Sequence, residues 1–223
     1  MIAAVVIAAG RGTRLRPLTD HYAKPVLPID GRPVLASLLR ELGEAGCAAV
    51  TVVTGHLGSQ VEQLGGDGRS FGLELRYARQ PSPDGSTDAV LAAAVRPPYL
   101  VLGADTLFGE GAVGRFAAAW SASGAAGALA ITPEPGGVGT RHGLVEQVLG
   151  AAGVAGAPLW AVGERLAPYV EARPGNAPWE LATAFQQAVD AGERVAAIEI
   201  APTRGLTTPA DLVRENFPYL RHL

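Results

Sequence analysis

The sequence predicts an α/β fold, a three-layer α/β/α sandwich with a central, twisted and mostly parallel sheet. Apolar runs of strand length alternate with segments of helical periodicity, which is typical of a parallel sheet covered on both faces. Hydrophobic residues make up 48% of the 223 residues, so the chain can bury a full core. Aromatic residues are only 6%, and small aliphatic residues dominate, as in tightly packed α/β layers. We expect one domain over residues 1–223, with halves at residues 1–108 and 109–223.

The predicted strands are short runs of apolar and β-branched residues. They cover residues 2–8, 49–54, 73–78, 99–103, 128–132 and 195–200. The predicted helices carry apolar residues at spacings of three and four. They cover residues 34–45, 58–64, 86–95, 111–123, 178–191 and 209–219. Pro33, Pro178 and Pro209 are expected in first turns, where the missing N–H of proline costs nothing. The Gly/Pro-rich residues 133–139 are expected to form a loop inside the domain.

Charge and cysteine content exclude several classes of function. The net charge of −3 gives no reason to expect a nucleic acid or a membrane as a partner. The single cysteine, Cys47, excludes an internal disulfide and a thiolate metal cluster, and we expect a buried thiol. The apolar start is too short for a signal peptide and no later run could span a bilayer, so we expect a cytoplasmic protein. Positive charge is nevertheless concentrated in residues 1–40, where six cations face two aspartates.

Most of those cations lie in the loop GRGTRLRPLTDHYAKPVLPI, residues 10–29, which follows the first predicted strand. Glycine-rich backbone N–H groups can converge on an anion because no Cβ blocks the approach. The loop lacks both the dinucleotide fingerprint and the G-K-[ST] ending of a P-loop, and Arg14 and Arg16 add donors. Lys24 is the only lysine of the chain, and a compact ammonium meets phosphate as a point charge. The residues alone leave two readings open, a triphosphate-binding loop and a turn with solvated arginines.

The segment AAGRGTRLRPLT followed by KPVLPI resembles the signature of the sugar-phosphate nucleotidyltransferases, and this resemblance favours the first reading. The stretch QPSPDG is similar to that of glucose-1-phosphate thymidylyltransferases, and YLVLGADTLF resembles the family's strand that ends in a metal-binding aspartate. The resemblance implies the nucleotide-diphospho-sugar transferase fold. It also implies that a sugar 1-phosphate oxygen attacks the α-phosphorus of a nucleoside triphosphate, usually with Mg²⁺, and that pyrophosphate leaves. A homo-oligomer is left open.

The resemblance assigns roles within the nucleotide-binding half, residues 1–108. Four loop residues would line the nucleotide phosphates: Ala9, Gly10, Gly12 and Thr13. Two cations would be catalytic, because Arg14 would stabilise the departing pyrophosphate and Lys24 would contact the α-phosphate or the sugar phosphate. Gln80 would hydrogen-bond the base, with Gly85 letting the base lie close to the backbone, and dTTP or UTP is favoured. Asp105 would bind Mg²⁺, since a hard cation takes oxygen ligands. Asp88 is expected to be only an acid in the first turn of a helix.

The acceptor half, residues 109–223, resembles the family more loosely. RHGLVEQ is similar to the family's R-Y-G-V-V-E, which nominates Gly143 and Glu146 as sugar contacts. PWELATAF resembles the family's E-L-T-D helix and adds Glu180. The family's second lysine is missing, and Gly205 falls at the position of its second metal-binding aspartate.

These departures keep two alternatives open. The chain could be a catalytically weak or inactive nucleotide-binding relative with a regulatory role. It could also be a cytidylyl- or guanylyltransferase with a different phosphate acceptor, because the A-A-G-x-G-x-R loop occurs there as well. The PLT and KPVLPI segments favour the sugar-phosphate branch over those enzymes.

Overall fold

The computed structural model describes residues 2–47 and 49–217. The strands are β1 (Ala3–Ala8), β2 (Pro28–Ile29), β3 (Arg32–Pro33), β4 (Ala49–Thr54), β5 (Glu74–Arg79), β6 (Tyr99–Gly103), β7 (Thr106–Leu107), β8 (Gly127–Arg141), β9 (Leu144–Gln147), β10 (Val154–Val162), β11 (Val195–Glu199) and β12 (Arg204–Gly205). The helices are α1 (Val34–Glu44), α2 (Gly58–Gly65), α3 (Ser86–Ala92), α4 (Ala112–Ser123), α5 (Ala167–Glu171), α6 (Leu181–Asp190) and α7 (Pro209–Asn216). None of these helices has the length and hydropathy needed to cross a membrane.

An eight-stranded sheet, in the order β11-β9-β8-β10-β6-β1-β4-β5, forms the central layer. Strands β6, β1, β4 and β5 are parallel neighbours, whereas β10 is antiparallel to both β6 and β8. Strands β6, β1 and β4 are nearly continuous apolar runs because helices cover both of their faces, whereas the edge strand β5 alternates polar and apolar residues. The predicted three-layer fold with mostly parallel central strands is therefore confirmed.

The two outer layers pack on opposite faces of this sheet. Alternate residues of β1 point to opposite faces, so Val6 belongs to one core cluster and Val5 to the other. The first cluster takes its helical side chains from α1, α2 and α4, and the second from α3, α5 and α6. A third, smaller cluster of Leu15, Leu27, Ile29, Val34 and Leu206 anchors the loop after β1 to α1 and β12.

Several predicted elements differ from the structure in the second half. Residues 133–139 are not a loop but part of the long strand β8. Glycine permits this close pairing, since a Cβ on Gly136 would lie 2.4 Å from the Cα of Ala155 in β10. Pro178 does not begin a helix, because α6 starts at Leu181 with Glu180 at its N-cap. Strands β9 and β10 and helix α5 had not been predicted. The predicted helix 209–219 ends at Asn216, and residues 218–219 lie outside the described residues.

Candidate functional site

A cleft of about 540 Å³ opens at the carboxyl ends of the parallel strands β1 and β6. Ligands of open α/β sheets bind at this edge. The cleft is lined by residues from these strands and the loops that follow them, from β8 and β10, and from the start of α6; they include Ile7, Gly10, Lys24, Gly103, Asp105, Leu129, Val138, Pro158, Trp160, Glu180 and Leu181. Most of the walls are apolar, and the charged groups are Lys24, Asp105 and Glu180.

Lys24 and Asp105 meet inside this cleft. The Nζ atom of Lys24 lies 2.5 Å from Oδ2 of Asp105, although 81 residues separate them in the chain. The Lys24 side chain is 14% exposed and that of Asp105 is 40% exposed. The hydroxyl of Thr106 donates to Oδ1 of Asp105 at 3.2 Å. The structure thus brings together two residues that the sequence nominated separately.

The glycine-rich loop folds back over the segment that carries Lys24. Gly12 has φ 62°, and a Cβ there would lie 3.0 Å from Cγ2 of Thr19 and 3.3 Å from Cβ of Lys24. Thr19 donates its hydroxyl to the Gly12 carbonyl at 2.9 Å. Only glycine suits this left-handed, crowded position. Buried Leu15 fixes the far side of the loop in the third core cluster.

The same loop offers donors for an anion. Gly10 lines the cleft, and the N–H groups of Arg11, Gly12 and Thr13 have no acceptor among the described residues. Arg14 is exposed beside them, and no ion pair engages it within the described chain. Successive free N–H groups in a left-handed turn form an anion-binding concavity.

A second pocket of about 180 Å³ borders the start of the same loop. It is lined by Ala9, Arg11, Gly55, His56, Arg79, Gln80, Pro81 and Pro83. Gln80 is buried, and its Nε2 donates to the Gly85 carbonyl at 3.0 Å and to Oδ2 of Asp88 at 3.2 Å. Nε2 of His56 lies 2.8 Å from the Thr19 carbonyl. The structure therefore places Ala9 and Gln80 at one pocket next to the glycine-rich loop.

Gly85 is required by a contact that the sequence did not reveal. Its φ is 104°, and a Cβ would lie 2.2 Å from the carbonyl oxygen of Trp179. Backbone hydrogen bonds fix this approach, because Trp179 N–H donates to the Asp84 carbonyl at 2.7 Å and Thr87 N–H donates to the Trp179 carbonyl at 2.9 Å.

Glu180 reaches the main cleft from the same junction. Its Oε2 accepts hydrogen bonds from the Ser86 hydroxyl at 2.5 Å and the Ser86 N–H at 3.3 Å. Ser86 Oγ in turn accepts from the N–H of Leu181 at 2.9 Å. The sequence assigns Gly85 and Glu180 to separate halves of the chain, whereas contacts of Ser86 and Thr87 with Trp179 and Glu180 join those halves.

Gly143 and Glu146 do not reach the cleft, contrary to the sequence expectation. Gly143 has φ 74° and follows His142 with φ 51°, which is a tight turn between β8 and β9. Glu146 is exposed and lies 3.8 Å from Arg141 on the outer surface. The same region contributes Gly137 and Val138 to the cleft instead. The dipeptide His142-Gly143 between two alternating runs was the turn signal that could have shown this.

Gly205 lies beside Asp105. In the pairing of β12 with β7, Gly205 stands opposite Thr106, and a Cβ on Gly205 would lie 3.3 Å from the Asp105 carbonyl oxygen. Over residues 2–47 and 49–217, no group of three or more metal-ligating side chains occurs. Mg²⁺ is commonly held by one or two carboxylates together with substrate phosphates and waters. Asp105 supplies one carboxylate at this position, which fits that pattern.

Comparison with known proteins gives the family and the fold. The family model described as Nucleotidyl transferase matches residues 3–153, more than half of the chain. N-acetylmuramate alpha-1-phosphate uridylyltransferase of Neisseria meningitidis serogroup B is 36% identical over 108 residues, which is 47% of each chain. Glucose-1-phosphate thymidylyltransferase of Streptomyces antibioticus is 40% identical over 90 residues, 40% of this chain and 25% of that protein.

Comparison with solved structures shows the same fold over nearly the whole chain. The inositol-1-phosphate CTP transferase of T. maritima superposes with a TM-score of 0.80 at 18% identity, over 95% of this chain and 91% of that one. In sequence, by contrast, the matches cover about half or less of the length of these curated relatives.

Proposed function

The chain belongs to the nucleotidyl transferase family, and on that premise we propose that it transfers the nucleotidyl group of a nucleoside triphosphate to a sugar 1-phosphate. A phosphate oxygen of the sugar 1-phosphate forms a bond to the α-phosphorus, the bond from that phosphorus to the bridging oxygen breaks, and pyrophosphate leaves with an NDP-sugar as the other product. The observation that carries this proposal is the contact between Lys24 and Asp105 inside one cleft, next to the glycine-rich loop.

Phosphoryl chemistry of this kind needs positioning and charge neutralisation more than covalent help. The backbone N–H groups of Arg11, Gly12 and Thr13 hold the triphosphate, and Arg14 draws charge from the departing pyrophosphate. Lys24 is largely shielded from water, so its ammonium acts on the α-phosphate in a low-dielectric site where charge interactions are strong.

Asp105 is the carboxylate of this chain that would hold Mg²⁺, with phosphate oxygens and waters as the other ligands. The bound ion would neutralise charge on the phosphate oxygens. Lys24 must exchange its contact with Asp105 for a phosphate when substrates bind, since both groups occupy the same corner of the cleft.

The acceptor sugar would occupy the main cleft between β8, β10 and α6. Glu180 supplies a carboxylate for a sugar hydroxyl, and Val138, Leu129 and Trp160 supply apolar walls. The uridylyl and thymidylyl relatives support UTP or dTTP as the nucleotide. We place the reaction in the cytoplasm, where nucleoside triphosphates and Mg²⁺ are available.

Two further functions have specific support. Gly205 and the missing second lysine favour a relative that binds nucleotides but transfers weakly or not at all. The A-A-G-x-G-x-R loop, which also occurs in cytidylyltransferases, supports a cytidylyltransferase with a different phosphate acceptor.

Pyrophosphate release with Mg²⁺ distinguishes these functions. The assay uses ATP, CTP, GTP, UTP and dTTP against a panel of sugar 1-phosphates and inositol 1-phosphate. Release that requires UTP or dTTP together with one sugar 1-phosphate supports the proposal. Release with CTP and inositol 1-phosphate supports the cytidylyltransferase. Absence of pyrophosphate release, from folded protein that binds nucleotide, supports the weak or inactive relative.

A further inference from the structure

Gln80 has its amide orientation fixed by two partners that can only accept hydrogen bonds. Its Nε2 lies 3.0 Å from the Gly85 carbonyl oxygen and 3.2 Å from Oδ2 of Asp88. A carbonyl and a carboxylate cannot donate, so both contacts require the NH₂ group of the amide at that position. The opposite orientation would set the amide oxygen against two other oxygens. The remaining amide atom, Oε1, has no partner within the described residues and is not sealed from solvent.

Asp88 is itself held in place by Arg173 from the other half of the chain. Nη2 of Arg173 lies 2.8 Å from Oδ1 of Asp88, so the two carboxylate oxygens have separate partners. The Asp88 side chain is only 17% exposed, which strengthens this contact relative to a surface pair. The guanidinium of Arg173 also lies over the ring of Trp179, 5.5 Å from its centroid.

A series of side-chain contacts thus connects Trp179 through Arg173 and Asp88 to Gln80, which lines the 180 Å³ pocket. The Gly85–Trp179 contact closes the same junction on its other side. None of these contacts is needed to begin or end α3, so a first-turn acid alone does not account for Asp88.

We propose that Asp88 and Arg173 are positioning residues. They fix the Gln80 side chain with its amide oxygen, Oε1, toward the base of the nucleotide, so that the site selects uracil or thymine over cytosine. The ring nitrogen N3 of uracil and thymine carries a hydrogen that Oε1 can accept. In cytosine the same nitrogen carries a lone pair, which repels Oε1 in the same pose. This inference rests on the proposed function, in that the small pocket receives the base of the nucleotide.

Asp88→Asn tests the role because asparagine offers only one oxygen in place of two. Arg173 retains that oxygen, and the new NH₂ group then faces the NH₂ group of Gln80. Arg173→Gln provides a second variant that releases Asp88 without changing it. Asp67→Asn is the matched control, since Asp67 also pairs with an arginine, at 3.2 Å from Arg69, but on an exposed loop.

The measurement is calorimetric titration of UTP and of CTP into the full chain, with Mg²⁺ and no acceptor. The wild-type protein should bind UTP about 10- to 100-fold more tightly than CTP, the range set by one hydrogen bond made or left unmade at a buried site. Both site variants should bring this ratio towards one, and Asp67→Asn should leave it unchanged. Thermal unfolding confirms that each variant is folded.

Equal affinities in the wild-type protein, tighter binding of CTP, or no binding of either nucleotide would overturn the inference. A wild-type preference that survives both Asp88→Asn and Arg173→Gln would overturn the positioning role. The proposed transfer fails separately, because absence of pyrophosphate release leaves the ratio of binding constants measurable.

Discussion

Nζ of Lys24 lies 2.5 Å from Oδ2 of Asp105, and this contact joins the loop after β1 to the turn after β6. The two strands are parallel neighbours, so their carboxyl ends deliver both residues to one point. Because Asp105 keeps 40% of its side-chain surface exposed, water can solvate it if the lysine is removed. The pair is therefore expected to matter more for activity than for stability.

Lys24→Ala should lower kcat/KM for pyrophosphate release by at least about 100-fold, which is typical of removing one charged donor from a phosphoryl-transfer site. No other lysine is available to replace it. The melting temperature should change little. Arg40→Ala on the exposed side of α1 is the control for loss of a cation in the same half. Unchanged turnover of Lys24→Ala would remove Lys24 from the proposed mechanism.

Asp105→Asn should abolish the Mg²⁺ dependence of nucleotide binding and lower transfer by about 100- to 1,000-fold. The amide keeps the size of the side chain and the contact with Thr106, but loses the charge that a hard cation needs. Mg²⁺ titration followed by calorimetry with UTP measures this directly. An unaltered Mg²⁺ response, with Asp67→Asn as the control, would locate the metal elsewhere.

Gly205→Asp should strengthen Mg²⁺ binding. A side chain at this position begins 3.3 Å from the Asp105 carbonyl oxygen, so a second carboxylate would lie close to the proposed metal ligand. The position has no positive φ, so the backbone conformation permits a side chain once the Asp105 carbonyl shifts slightly to relieve the tight 3.3 Å contact. We expect the Mg²⁺ concentration for half-maximal activity to fall several-fold, whereas Gly205→Asn should give a smaller change. If both variants behave like the wild-type protein, β12 does not face the metal.

The sequence predicts an element of this fold well where the pattern of neighbouring residues alone specifies it, and poorly where a distant segment does. Strands β1, β4 and β6 are largely buried apolar runs, and their ends were predicted within a residue. The first part of β8 was predicted as the strand 128–132, whereas residues 133–139 were taken as a loop, because glycines and prolines are turn residues in isolation and only the close backbone of β10 makes them a strand.

The candidate site divides in the same way. Lys24 and Asp105 stand directly after strands or in a short motif, so the sequence could nominate both. Gly143 was misplaced, since one R-x-G match cannot distinguish a hairpin turn from a cleft wall. The contact between Gly85 and Trp179 joins distant segments, and no local pattern reports it. The roles of the site residues stay predictions.

Gly10 and Gly85 should respond differently to alanine. At Gly10 a Cβ would meet nothing within 4 Å, so the protein should fold normally but lose nucleotide affinity where the methyl group crowds the phosphates. At Gly85 a Cβ would lie 2.2 Å from the Trp179 carbonyl oxygen at a φ of 104°, so Gly85→Ala should destabilise the fold by several kcal/mol, on the order of 3. Thermal unfolding and UTP titration separate the two effects. Equal loss of stability in both variants would contradict this account.

The stability that Asp211 gives to α7 should depend on pH. Burial acts to raise the pKa of the Asp211 carboxyl, but hydrogen bonds from the N–H and hydroxyl of Thr208 and from the N–H of Thr207, with Arg214 nearby, lower the pKa below its ordinary value of 3.8. A carboxyl whose pKa is lower in the folded state stabilises the protein fully above the unfolded pKa, and this contribution disappears as the pH falls through the folded pKa.

Asp211→Ala should therefore cost about 1 kcal/mol at pH 6, which is typical of losing a helix cap, and clearly less at pH 3. Urea unfolding at the two pH values measures the difference. Asp211→Asn is the matched control, since it keeps one oxygen for the Thr208 N–H and does not titrate. Because asparagine stays neutral throughout, the free energy of unfolding of wild type minus Asp211→Asn should shrink on acidification. If that difference is the same at both pH values, the carboxylate charge does not support the cap, and the hydrogen bonds alone hold the start of α7.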